Sequence, residues 1–129
     1  PAHWEEGPDL TIRMGTEPGL KFSVTDMTVA AGARIKFIFS NPDDMPHNFL
    51  LTQPGMADQV GQAALKLGVR GMELNYVPDM PAVLYHTKLL QPATSQTIYF
   101  EAPSKPGVYP YVCTYPGHYV TMRGVLRVK

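Results

Sequence analysis

The sequence predicts an all-β fold, an antiparallel sandwich or barrel with one short helical insertion around residues 56–67. Short runs of alternating apolar and polar residues recur about every ten positions. Pro or Gly marks most junctions between them, as in AAGA, NPDDMP, QPAT, APSKPG and YPG. One stretch departs from that rhythm and carries helical spacing instead.

DLTIRM opens the series with a short alternation, and LKFSVTDMTV continues it. In ARIKFIFSN, Ile35, Phe37 and Phe39 sit two apart, so a strand turns all three to one face, which belongs in the core. HNFLLT is a short apolar run after the turn-forming NPDDMP. The exception follows: in MADQVGQAALKL, Val60, Ala63, Ala64 and Leu67 share one helical face, although Gly61 lowers the propensity. AVLYHTKLL, SQTIYFEA, GVYPYVC and GVLRVK supply the remaining strands.

At 129 residues the chain has the length of one domain, 1–129, with one sizeable core. It begins at Pro1 rather than Met, which suits a processed mature protein or a domain of a longer one. Eleven basic and eleven acidic side chains cancel, which argues against nucleic acid or an anionic surface as the main target. No apolar run approaches the ~18 residues of a membrane span. Cys113 is the only cysteine, so no intramolecular disulfide can form.

The densest chemistry lies in CTYPGHYVTM, residues 113–122. Tyr115, Pro116, Gly117 and His118 fit a type II turn, with Pro presetting φ at its second position and Gly supplying positive φ at its third. Such a turn folds His118 back beside Cys113, and Met122 follows at the entrance to the last strand. Thiolate, imidazole and thioether form a soft ligand set that favours copper over magnesium or calcium. Zinc stays open chemically, although Met is an unusual zinc ligand. A blue copper centre needs a second imidazole. His47 is the best placed, at the end of a turn-rich loop where a strand begins; His3 lies near a terminus and His86 within a strand.

The Cys-x4-His-x3-Met spacing of CTYPGHYVTM, the upstream MPHNF, HTKLL at residues 86–90 and the closing MRGVLRVK together resemble the azurin family of small blue copper proteins, the cupredoxins. The resemblance covers most of the chain from Leu10 onward. It implies a Greek-key, cupredoxin-like sandwich and one type 1 copper ion held by His47, Cys113 and His118, with Met122 as a weak axial ligand. It implies also that Asn48 ties the two ligand loops together, and that the Asn48 and Tyr115 N–H groups point at the Cys113 sulfur. Pro46 stands where azurins have Gly, and its carbonyl is the counterpart of the family's distant fifth contact, at a φ fixed by the proline ring. The cysteines of the azurin disulfide are missing, so packing alone must stabilise the fold. The resemblance places an apolar docking patch at Met14, Met45, Pro116 and Tyr119.

A protein of this family is implied to be a one-electron carrier rather than an enzyme. It would work as a monomer, in the periplasm or otherwise outside the cytoplasm, between redox partner proteins such as a cytochrome, a dehydrogenase or a reductase. A second, catalytic copper would need more histidines, and only His3 and His86 remain. Copper handling and a non-redox cupredoxin-like binding module are the alternatives. Dispersed methionines speak against the first, and the intact ligand set against the second. A cysteine hydrolase fits worse, because a sulfur engaged in a ligand cluster is not a free nucleophile.

Overall fold

The computed structural model describes residues 3–129. Along the chain come β1 (Leu10–Met14), β2 (Thr16–Glu17), β3 (Lys21–Phe22), β4 (Asp26–Val29), β5 (Arg34–Asn41), β6 (Leu50–Thr52), α1 (Ala57–Leu65), a 3-10 turn at Gly68–Arg70, β7 (Val83–His86), β8 (Thr94–Glu101), β9 (Gly107–Val112) and β10 (Arg123–Val128). One sheet has the order β1-β5-β8 and the other β4-β10-β9-β6-β7, while β2 and β3 pair as a small ribbon. The sheets stay open, so the molecule is a sandwich and not a closed barrel.

In β5 the alternation is as the sequence suggests: Ile35, Phe37 and Phe39 are fully buried between half-buried or exposed neighbours. The Phe37 ring lies 4.3 Å from that of Phe49, which lies 5.1 Å from that of Tyr111. Those aromatic contacts join the two sheets through the core. Ahead of β1, the Asp9 carboxylate accepts the Arg34 backbone N–H and Nη2 at 2.9 and 2.8 Å. The guanidinium holds that carboxyl at about 2.

Most pairings are antiparallel, as expected, and two run parallel: β1 with β5, and β4 with β10. Between β1 and β5 the chain crosses to the opposite sheet at β4 before returning, the long connection that a parallel pair requires. Side chains alternate in the same way in either direction, so the residue pattern carries no sign of it.

The helix is a little shorter than its sequence signal and begins after Met56. Its buried stripe is Ala57, Val60, Gly61 and Ala64, and Val60 packs with Leu50, Ala82 and Val112 on the outer face of the larger sheet. Covered on both sides, β6 is buried at all of Leu50, Leu51 and Thr52, which explains its unbroken apolar run. Gly61 sits where the Tyr119 ring rests on the helix, and a Cβ there would run into that ring. Among the described residues no helix is long and apolar enough to cross a membrane.

Candidate metal centre

His47 ends the loop that leaves β5, and Cys113 directly follows β9. A two-way bridge fixes the backbone at His47: its N–H donates to the Leu90 carbonyl at 3.1 Å, and the Leu90 N–H returns a bond at 2.8 Å. Thr87 continues the strap, its hydroxyl accepting the Phe49 N–H at 3.0 Å. On the other side, the His118 N–H donates to the Tyr115 carbonyl at 2.9 Å and Gly117 has φ 84°. That is the type II turn expected from Tyr-Pro-Gly-His, and it brings His118 back onto Cys113.

The result is a compact donor set. Nδ1 of His47 and Nδ1 of His118 lie 3.7 and 3.6 Å from Cys113 Sγ. All three ligand atoms are within 4.8 Å of one another. Cys113 and His47 are fully buried and His118 is 5% exposed. Met122 is fully buried beside Cys113 in the same cluster. Its N–H donates to the His118 carbonyl at 2.8 Å and its carbonyl accepts the Cys113 N–H at 3.0 Å, so the loop holds Cys113, His118 and Met122 as one unit. His3 and His86 contribute nothing to this group.

The electrostatics fit a cation here. Burial pushes the Cys113 thiol up to about 11, against the backbone N–H groups of Asn48 and Tyr115, which point at the sulfur and favour thiolate. A soft metal ion offsets the cost of that burial by binding the thiolate directly. Burial also pulls His118 below its ordinary value, helped by His47 and opposed by Asp43; a neutral imidazole is the form that ligates. His47 Nε2 is hydrogen-bonded to Asp43 Oδ2 at 2.8 Å, while its Nδ1 faces the sulfur. The same bond, with the Asp44 N–H, lowers the Asp43 carboxyl, so the carboxylate accepts and the imidazole donates.

Asn48 joins the two ligand loops as expected. Its Oδ1 accepts the Thr114 N–H at 2.8 Å, and its Nδ2 donates to Thr114 Oγ1 at 2.9 Å and to the Asn75 carbonyl at 2.8 Å. Thr114 Oγ1 in turn donates to the Tyr76 carbonyl at 2.6 Å. Sequence reasoning missed Asp43, Asn75, Tyr76, Thr87 and Thr114. Asn75 and Tyr76 adopt φ 56° and 53°, and an Asn in the left-handed region was the one available signal. The Tyr76 ring meets the edge of Tyr115, whose ring meets His118 at 5.0 Å.

The expected docking patch divides. Pro116 is exposed and Met45 is 36% exposed, whereas Tyr119 is half-buried against Gly61. Met14 is a correction: it is 2% exposed, packed in the core, with its sulfur accepting the Ser23 hydroxyl at 3.7 Å. Val120, 65% exposed and in the ligand loop, was not anticipated. Pro46 is half-buried.

Residues 10–129 match the family model described as copper binding proteins, plastocyanin/azurin family. The chain belongs to that family. Copper is thus the cofactor of the His47, Cys113, His118 and Met122 set. Auracyanin-B of Chloroflexus aurantiacus is 32% identical over 129 residues, 95% of this chain but 54% of the relative, so the chain spans about half of that protein's length. The dithionite-reduced auracyanin of Roseiflexus castenholzii superposes with TM-score 0.83 at 31% identity, covering 95% of this chain and 99% of that one. Auracyanin A of C. aurantiacus, a "blue" copper protein, superposes with TM-score 0.82 at 32% identity, covering 92% and 98%. The plastocyanin/azurin-family fold therefore extends over nearly the whole chain, and the ligand loops sit at one end of it.

Proposed function

We propose that this protein is a one-electron carrier whose single type 1 copper passes electrons between redox partner proteins. One observation carries the reading: two imidazole Nδ1 atoms and one thiolate sulfur converge in a buried site that the backbone has already shaped. Bound copper supplies a couple between Cu(II) and Cu(I). The protein's own part is to change little between the two states. His47 is locked by Leu90 and Asp43, Cys113 by Met122 and the donors on its sulfur, and both loops by Asn48. Ligands held this way need little rearrangement, and they are buried. The protein is accordingly a carrier and not an enzyme.

His118 is the route for the electron. It is the one ligand imidazole with any exposure, and among the described residues its Nε2 makes no hydrogen bond. The rim of Pro116, Met45 and Val120 suits brief apolar docking of a cytochrome, dehydrogenase or reductase. A net charge of zero argues against strong steering. By the family resemblance, the Pro46 carbonyl would be a weak further contact to the bound metal. The family resemblance supports work as a monomer outside the cytoplasm, which fractionation of the source cells checks.

The test is the visible spectrum of the Cu(II)-loaded protein before and after ascorbate, beside Cys113→Ser. An intense thiolate-to-copper band that bleaches on reduction and is lost in Cys113→Ser is expected. A correctly folded but colourless protein would point to copper handling or a non-redox binding module.

A further inference from the structure

The two imidazoles of the site are unequal. His118 is flanked by the Tyr115 ring, whereas His47 has a carboxylate directly behind it, Asp43 Oδ2 at 2.8 Å from Nε2. We propose that Asp43 is a positioning residue of the copper centre: its carboxylate holds His47 in the Nε2–H tautomer with Nδ1 free for the metal, and its charge favours Cu(II) over Cu(I). The proposal rests on the copper-carrier reading above and deepens it.

The carboxylate is placed with care. The Asp43 N–H donates to Asn41 Oδ1 at 3.0 Å, and the Asp44 N–H donates to Asp43 Oδ1 at 2.8 Å, leaving Oδ2 for the imidazole. Asn41 Nδ2 donates to the carbonyls of Met45 at 2.8 Å and Leu90 at 3.0 Å. Leu90 is the bridge partner of the His47 backbone. One buried asparagine at the end of β5 thus anchors both the backbone of His47 and the acid behind its ring. The Asp43 side chain is 15% exposed, so water screens it only in part.

A neutral acceptor would suffice to select the tautomer. A carboxylate does more: it makes the imidazole a stronger donor and places negative charge near the metal, and both stabilise the more highly charged oxidation state. Asp43→Asn separates these effects, because the amide keeps an acceptor oxygen and loses the charge. Outer partners of this kind are worth about ten- to a hundredfold in metal affinity. A tenfold change in the ratio of Cu(II) to Cu(I) affinity corresponds to ~59 mV for one electron.

The experiment compares the wild-type protein, Asp43→Asn and Glu17→Gln, the last removing an exposed carboxylate that lines the same surface hollow as Asp43 without a hydrogen bond to it. In all three, the visible band, the reduction potential and Cu(II) affinity in competition with a chelator are measured. The tautomer of His47 is read in the metal-free wild type by long-range proton–nitrogen correlation. Asp43→Asn is expected to keep the blue band, bind Cu(II) about tenfold more weakly and shift the potential upward by the equivalent amount. Glu17→Gln should stay within about twofold of wild type, since exposed charges are screened. An Asp43→Asn protein within twofold of wild type in both quantities overturns the proposal. So does a metal-free His47 carrying its proton on Nδ1, a result that stands even where the variant does not fold. A wild-type protein without the band would instead overturn the carrier reading, and the metal-free tautomer would still decide whether Asp43 orients His47.

Discussion

Asn48 illustrates how much of this centre depends on side chains that never touch a metal. Its two hydrogen bonds to Thr114 are the direct tie between the loop holding His47 and the loop holding Cys113, and a third reaches the Asn75 carbonyl. Asn48→Ala should cost about 3 kcal/mol, because buried partners are left unsatisfied on both sides. Urea unfolding of the metal-free protein, with the slope unchanged and the midpoint lowered, is the check. The ligands themselves were legible because a thiol, imidazole and thioether at that spacing have few other uses. Asn75 and Tyr76 were not: their carbonyls accept Asn48 Nδ2 and Thr114 Oγ1 from a left-handed backbone, and a carbonyl leaves no mark on a sequence. Met14 was misplaced for a different reason: the family resemblance put it in the patch, whereas the alternation of Leu10, Ile12 and Met14 in β1 already turns it to the core face.

At the scale of elements, the helix and the ligand loop meet through Gly61 and Tyr119. Replacing a helical Gly with Ala ordinarily stabilises by about 1 kcal/mol. Here the added methyl would run into the Tyr119 ring, next to His118 in the chain. Gly61→Ala should therefore destabilise by about 1–3 kcal/mol and broaden or shift the thiolate–copper band as the loop moves. In a Tyr119→Ala background the same substitution should become neutral or stabilising, because the obstruction is gone. Thermal unfolding of the four proteins of this cycle decides the matter. Gly61 appeared in the sequence only as a weakness of the helix, since the ring it accommodates lies 58 positions away. The strands were easier, because Ile35, Phe37 and Phe39 report burial through local alternation. Their neighbours were not legible, because β1∥β5 and β4∥β10 follow from where the chain crosses between sheets.

For the whole molecule, the balance of charge and the position of His118 make a joint demand on how copies meet. Electron exchange between an oxidised and a reduced copy of this chain needs no knowledge of the natural partner. It requires only that two metal-bearing ends approach each other. With eleven charges of each sign, the net repulsion between copies is nearly absent. Raising salt from 0.01 to 1 M, which shortens the screening length from about 30 to 3 Å, should change the exchange rate by less than about threefold. Met45→Lys places one positive charge on the rim of each approaching face. It should slow exchange several-fold at low salt and recover at high salt, with the band and potential nearly unchanged, since this side chain lies on the surface. The rate follows from line broadening in mixtures of the two oxidation states. A wild-type rate that rises or falls steeply with salt would mean that copies meet over a charged face instead. The electron would then leave by a route other than the apolar rim around His118.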